Sequence, residues 1–385
     1  MKDRVTNGQA LSRNQKIMIV AGEASGDLHG AHLVRAMKAL NPNLEFFGIG
    51  GSALRQAGVK IRVDNSQMAV VGISEAFSKI NLLIRALRLA RQDLKKSRPA
   101  LLILIDFPDF NLRVAATAKK LGIPVMYYIS PQIWAWRIGR IKKIKRLVDH
   151  MVVVFLFEVD FYKKWNVPVT FVGHPLLDDT RTKATEGKAE DLQGSGLLVG
   201  LLPGSRNEEV TRLLPTMVKV AEILSERIDG VRFAIPVAHS VNRAVVEAIV
   251  QGGKARFLIL SNRLRDVLDG ASLVITASGT VTLEAAIAGT PMIIVYKVSL
   301  FSYWLGRCLI RVKHIGLANL VARRPIVPEL IQHDVSAEKI ADLALKMLRD
   351  EERLARMRHE LLLVRESLGV PGASKRAAEV ALGML

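Results

Sequence analysis

The sequence holds a single cysteine, Cys308, in 385 residues. One thiol permits no internal disulfide and no cysteine-clustered zinc site. Aromatic residues make up only 5%. No basic–aromatic platform, zinc-finger spacing or RNA-recognition signature is present, so nucleic acid is not an expected partner. Long apolar runs are missing as well. The longest, Leu101–Ile105 and Met151–Phe157, fall far short of the roughly 18 residues a membrane span needs. The run Ile17–Ala21 is too short for a secretory signal and follows no basic-then-apolar order, so a soluble, cytoplasmic chain is expected. Acidic residues are the other shortage. Asp and Glu number 36 against 55 Lys and Arg, leaving a net charge of +19. Such an excess suits phosphorylated substrates or an anionic membrane face, with an ordinary basic surface as the plainer alternative.

What is present reads as α/β. Half of the residues are hydrophobic and 24% are charged, a globular balance, and the length suits two domains of roughly 150–200 residues. After a polar, aperiodic stretch over 1–14, read as a tail, short apolar runs of strand type recur. They are Lys16–Gly22, Phe46–Gly48, Leu101–Ile105, Val125–Ile129 and Met151–Phe155, with helix-like segments between them. Strands apolar throughout and alternating with helices predict parallel sheets covered on both faces. A polar connector over 179–196 separates this half, 15–178, from a second, 197–348. There the rhythm restarts at Leu197–Leu202, Arg232–Val237, Phe257–Leu260, Leu273–Thr276 and Met292–Tyr296. Two Rossmann-like domains facing a cleft are expected, with ligands at the carboxyl ends of the strands.

The loops after strands therefore carry the candidate sites. Gly22-Glu-Ala-Ser25-Gly26-Asp27 opens a helix after the first strand; it suits either an anion at a helix N-terminus or a tight turn capped by Ser25 or Asp27. In Ile105-Asp106-Phe-Pro-Asp109 the second carboxylate reads as a helix N-cap. Asp106 lacks that explanation and is the candidate general base. Trp134 and Trp136 lie on one loop and either line a pocket or anchor the loop to its own core. The basic stretch Arg140–Arg146 that follows reads as a solvated face. In the second half, Pro203-Gly-Ser205-Arg206 offers backbone amides and a guanidinium to a diphosphate. Ser278-Gly279-Thr280, with Glu284 one turn beyond, resembles a second phosphate site carrying a carboxylate for ribose hydroxyls. His29 and His174 have no paired metal-ligand spacing, so no metal is expected and hydrogen-bonding roles are favoured. No Gly-x-Ser-x-Gly elbow supports a hydrolase.

Several of these stretches together resemble the lipid-A-disaccharide synthase family. They are Val20–Asp27, Ile105–Asn111, Tyr128–Arg137, Phe171–Pro175, Leu201–Arg206, Ala277–Glu284, Leu317–Leu320 and Pro328–Gln332. The resemblance implies a metal-independent, inverting glycosyltransferase of the two-domain GT-B type without a cofactor. It implies transfer from UDP-2,3-diacylglucosamine to 2,3-diacylglucosamine 1-phosphate, giving a β-1,6-linked disaccharide 1-phosphate and UDP. It further implies peripheral attachment to the cytoplasmic face of a Gram-negative inner membrane, and it leaves a homodimer open. On its motifs Asp106 is the base, while Ser205, Arg206, Ser278–Thr280, Glu284 and Asn319 bind UDP. Ser25, Gly26, Asp27, Trp134, Trp136 and His174 fall to the acceptor side or to structural support. By the same analogy the C-terminal helices, 349–385, return toward the first domain. Two departures from the family pattern stand out, Gly50-Gly-Ser-Ala-Leu54 and Phe107. The alternative is another GT-B transferase or epimerase acting on UDP-N-acetylglucosamine.

Two segments combine apolar and basic residues and are expected at a membrane surface, with packing against ordinary domain cores as the alternative. Met68–Phe77 runs into a helix whose stripe is Leu83, Leu87, Ala90 and Leu94, and Phe301–Lys313 is the second.

Overall fold

A computed structural model describes residues 15–65, 73–179, 192, 196–298 and 314–385, without the side chains of 73–80, Trp136 and Asp179. The expected tail and most of the connector lie outside this range. So do Phe301–Lys313, residues 66–72 and the side chains of 73–77, so the membrane reading of those stretches rests on the sequence.

The chain divides into two compact units, Met1–Asp179 with Gly369–Leu385, and Thr180–Leu368. The first is built on a sheet of seven strands: β1 (Lys16–Ala21), β2 (Glu45–Gly50), β3 (Lys60–Asp64), β4 (Leu101–Ile105), β5 (Val125–Tyr128), β6 (His150–Val153) and β7 (Val169–Phe171). Their order is β3-β2-β1-β4-β5-β6-β7, all parallel. The second unit carries β8 (Leu198–Leu202), β9 (Arg232–Val237), β10 (Phe257–Ser261), β11 (Leu273–Ala277), β12 (Met292–Tyr296) and β13 (Glu329–Ile331) in the order β10-β9-β8-β11-β12-β13, again parallel. The central strands β1 and β4 are buried on both faces because helices cover each side, which is why they read as unbroken apolar runs. In both sheets the strand order reverses next to the first strand of the unit, the place where α/β sheets leave room for a ligand.

The C-terminal segment departs from expectation at its boundary. The helix Glu351–Ser367 packs on helices of the second unit, Val281–Ala288 and Leu317–Ala322 among them. Only from Gly369 onward does the chain belong to the first unit, where the helix Ala373–Leu382 packs along the helix Ala24–Leu40. One carboxylate fastens it: Asp178 accepts from the backbone N–H of Gly372 (2.6 Å), Ala373 (3.1 Å) and Ser374 (3.1 Å) and from the Ser374 hydroxyl (3.0 Å). These are donors that a helix start leaves orphaned.

The stripe Leu83, Leu87, Ala90 and Leu94 of the helix Ile73–Ser97 faces the core of the first unit rather than a membrane. The hydrophobic core under the sheet is the nearer apolar phase, and the arginines Arg85 and Arg88 take the exposed side with Ile84. Among the described residues no helix is long and apolar enough to cross a membrane.

Candidate functional site

In the first unit, β4 delivers Asp106 to its carboxyl end, and the backbone there is unusual. Asp106 (φ 44°) and Phe107 (φ 47°) are consecutive non-glycine residues in the left-handed region, a conformation that costs energy and persists only where neighbours enforce it. The neighbours are visible. The Asp106 carbonyl accepts from the Tyr127 hydroxyl (2.5 Å) and from Asn111 Nδ2 (2.6 Å), which also donates to the Ile105 carbonyl (3.1 Å). The Phe107 ring lies over Gly22, where a Cβ would come within 2.3 Å of it. Phe107 thus clamps the β4 turn onto the β1 turn. Burial pushes the Asp106 carboxyl up to about 6, Glu23 adding to the rise and the Phe107 N–H opposing it. A carboxylate so tuned can take a proton near neutral pH.

The β1 turn itself is structural. The helix begins at Ala24 with Glu23 as N-cap and no side-chain capping bond, so neither Ser25 nor Asp27 caps it. Asp27 instead accepts from the N–H groups of Gly51 (2.6 Å), Ala53 (2.9 Å) and Leu54 (3.3 Å), fixing the Gly50–Leu54 turn. A Cβ on Gly51 would approach the Asp27 carboxylate to 2.9 Å, which accounts for glycine there. Gly26 is buried against Ile105, and Ser25 is exposed.

Asp109 is no N-cap; that position is Phe107. Its exposed carboxylate pairs with Arg137 (3.2 Å) and Arg140. Trp134 anchors its loop: Nε1 donates to Glu158 (3.1 Å), and the ring meets Phe157 edge-on at 4.9 Å. Glu158 is 1% exposed and burial pushes it up to about 7. The Trp136 side chain lies outside the described residues. His174 is buried against Phe155, accepts the Leu176 N–H at Nδ1 (3.2 Å), and is held by burial down to about 3, neutral at any ordinary pH. His29 is likewise pushed down to about 4 by burial. Among the described residues no group of three or more His, Cys, Asp or Glu side chains is placed to hold a metal.

The second unit holds a pocket of about 370 Å³ formed by the carboxyl ends of β8, β9, β10 and β11. Ser205, Arg206, Ser278, Gly279, Thr280 and Glu284 line it together. The helices Asn207–Ser225 and Val281–Ala288 both begin there with no side-chain capping bond, so two positive helix ends adjoin the same cavity. Gly204 adopts φ 123°. The side chain of Glu209 folds across it, accepting from the Ser205 N–H (3.0 Å) and from Arg206 (3.2 Å). An anion entering here competes with Glu209 for those donors. Ser278 donates to the Ile315 carbonyl (3.2 Å).

Asn319 does not join this pocket, contrary to the expectation. It is fully buried, and its amide is saturated. Nδ2 donates to the Val327 carbonyl (2.8 Å) and Glu329 (2.7 Å), while Oδ1 accepts from the N–H groups of Ile326 (2.8 Å) and Val327 (3.0 Å). Glu329 in turn accepts from the Ile315 (2.9 Å) and Gly316 (3.0 Å) N–H groups. Asn319 therefore shapes the segment that Ser278 leans on. Glu23, Glu209 and Glu329 were not candidates from the sequence. Glu23 meets Asp106 only because β4 lies beside β1, and Glu329 acts through the Ile315–Gly316 turn and Asn319. Glu209, a turn away from Ser205 and Arg206, reads as an ordinary helix residue until its side chain is seen folded back over Gly204.

A family model described as "Lipid-A-disaccharide synthetase" matches residues 17–382. The chain is 48% identical to the "Lipid-A-disaccharide synthase" of Geobacter sulfurreducens over 97% of its own length and 98% of that protein. It is 43% identical to the protein of the same name from Nitrosococcus oceani, with 96% of each covered. Among solved structures it resembles UDP-GlcNAc 2-epimerase from Neisseria meningitidis bound to UDP-GlcNAc (TM-score 0.66, 12% identity, 96% and 100% covered). MurG of Acinetobacter baumannii is similar too (TM-score 0.59, 12% identity, 96% and 99% covered). At those identities the structural likeness speaks for the GT-B fold alone.

Proposed function

The chain belongs to the lipid-A-disaccharide synthetase family and is a GT-B glycosyltransferase, and on that premise we propose the course of its reaction. The second unit holds UDP-2,3-diacylglucosamine by its UDP. Arg206 and the two uncapped helix starts meet the diphosphate, Glu284 meets the ribose, and Val237, Ala238 and Leu264 offer an apolar wall to the base. The first unit presents 2,3-diacylglucosamine 1-phosphate to Asp106. Asp106 takes the proton of the 6-hydroxyl as that oxygen attacks the anomeric carbon from the face opposite UDP. The bond to the diphosphate breaks, its electron pair leaves with UDP, and the configuration inverts to β. Charge developing on the departing diphosphate is met by the guanidinium and the helix dipoles.

The observation that carries this division of labour is the pairing of chemistries. A nucleotide-sized, anion-ready pocket lies in the second unit, and a carboxyl tuned to about 6 stands at a strand end in the first. Mass spectrometry of the product tests it. A disaccharide 1-phosphate should form from the two diacyl substrates, with EDTA present, and none from UDP-N-acetylglucosamine as donor. Turnover of the unacylated donor alone, or strict dependence on an added divalent ion, would count against this reading.

The acyl chains place the reaction at a bilayer, since each methylene drawn into water costs about 0.8 kcal/mol. The excess of 55 Lys and Arg over 36 Asp and Glu selects an anionic face, and a UDP-sugar donor the cytoplasmic side. The protein is expected to sediment with anionic vesicles, to stay in solution with neutral ones, and to be released by high salt. Equal sedimentation with both would remove the electrostatic part.

A further inference from the structure

The acceptor differs from most sugar acceptors in carrying a phosphomonoester, and the first unit contains a cationic cluster on Asp109, three residues along the chain from Asp106, that the reaction as described leaves unused. Asp109 lies three residues beyond Asp106, in the first turn of the helix Pro108–Lys120. Arg137 Nη1 approaches both of its carboxylate oxygens, at 3.2 and 3.5 Å, and Arg140 Nη2 bonds to Oδ1. Arg113, one helical turn further along, acts on the same carboxylate through space. We propose that Arg137, Arg140 and Arg113, gathered on Asp109, form the subsite for the phosphomonoester of the acceptor; this rests on the reading of the first unit as the acceptor side.

Three features distinguish the cluster from an ordinary surface ion pair. Charge is the first. Three guanidinium groups act on the one Asp109 carboxylate, and a phosphomonoester, carrying about −1.5 to −2 at pH 7, is the kind of anion such a cluster attracts. Geometry is the second. All three cations are arginines, whose planar forks match phosphate oxygens two at a time. Asp109 acts as a positioning residue that aligns two of them. The Arg140 side chain is 14% exposed and so held in place, whereas Asp109 at 70% and Arg137 at 43% leave the outer side of the cluster open. Location is the third. Arg137 ends the loop that Trp134 pins to the buried Glu158. Asp109 is joined to Asp106 by a stretch of chain that spans at most about 10 Å. A hexose whose 6-hydroxyl meets Asp106 and whose anomeric phosphate meets the arginines fits that scale.

The same chemistry would attract the phosphate of an anionic lipid headgroup, so the experiment separates the two. Rates are measured in neutral detergent micelles with 2,3-diacylglucosamine 1-phosphate and with the same lipid lacking its phosphate. Wild type is compared with Arg137→Ala, Arg113→Ala and Arg137→Lys. The ratio of kcat/KM between the two acceptors should fall about 10–100-fold for each guanidinium removed, carried by KM for the phosphorylated acceptor, while KM for the donor stays put. Arg137→Lys should recover part of the ratio, because charge returns without the fork. A ratio that does not change, or an equal loss on both acceptors, overturns the subsite. A defect confined to anionic vesicles and equal for both acceptors assigns the cluster to headgroups and overturns it as well. If wild type makes no disaccharide from either acceptor, the reaction itself has been misread and the subsite falls with it.

Discussion

Asp106→Asn is expected to lower kcat by roughly 10²–10⁴-fold, the range over which a positioned general base acts, while UDP binding stays at the wild-type level. The asparagine preserves shape and the contacts of the Asp106 carbonyl, which belong to the backbone and are made by Tyr127 and Asn111. The variant therefore separates basicity from folding. The pH profile gives an independent reading. A base whose carboxyl is raised to about 6 is protonated and idle below that value and competent above it. In wild type kcat/KM should rise tenfold per pH unit on the acid side and level off above about pH 6, and the bend should vanish in the asparagine variant. Near-normal turnover, or a bend that survives, would remove Asp106 from the chemistry.

Arg206→Ala is expected to weaken UDP binding and to reduce kcat by roughly 10²–10³-fold, the loss seen when a preorganised donor to a developing anion is taken away. Effects on both quantities are anticipated because the guanidinium meets the diphosphate before and during bond breaking. Arg206→Lys should restore only part of each, since charge returns without the two-pronged donor. Isothermal titration with UDP and steady-state rates at saturating donor distinguish the two contributions. Unchanged UDP affinity in the alanine variant would mean that Arg206 serves Glu209 alone, the partner it holds at 3.2 Å.

Most strands were legible because a strand buried on both faces can hardly avoid an apolar run. Leu101–Ile105 is 0% exposed throughout, and it reads as a strand on composition alone. Three strands escaped that reading: β3, β7 and β13. Each lies at a sheet edge and is only partly buried, so sequences such as Lys-Ile-Arg-Val-Asp need no continuous hydrophobicity. The start of the C-terminal return was misplaced for a related reason. Helical periodicity shows that a helix has an apolar face but not which core that face meets, and Glu351–Ser367 meets the second unit. The stripe on Ile73–Ser97 was ambiguous in the same way, and the core of the first unit claimed it.

Local sequence sufficed for the architecture and the placement of the chemistry: parallel strands, turns rich in glycine and small polar residues at their carboxyl ends, and a carboxylate or a guanidinium in several of them. Those are local properties, set by backbone geometry and by which residues a strand–turn–helix junction tolerates. Tertiary structure alone decided which polar side chains remain for a ligand. Asp27 and Asn319 stand in motifs that resemble binding sites, yet each is consumed by backbone N–H groups of a neighbouring turn. Arg137, Arg140 and Asp109, separated along the chain, meet only because β5 lies beside β4. A hydrogen-bonding group in a folded protein is available or spent according to what the sheet order brings next to it. That order is fixed by non-local packing, which no short stretch of sequence records.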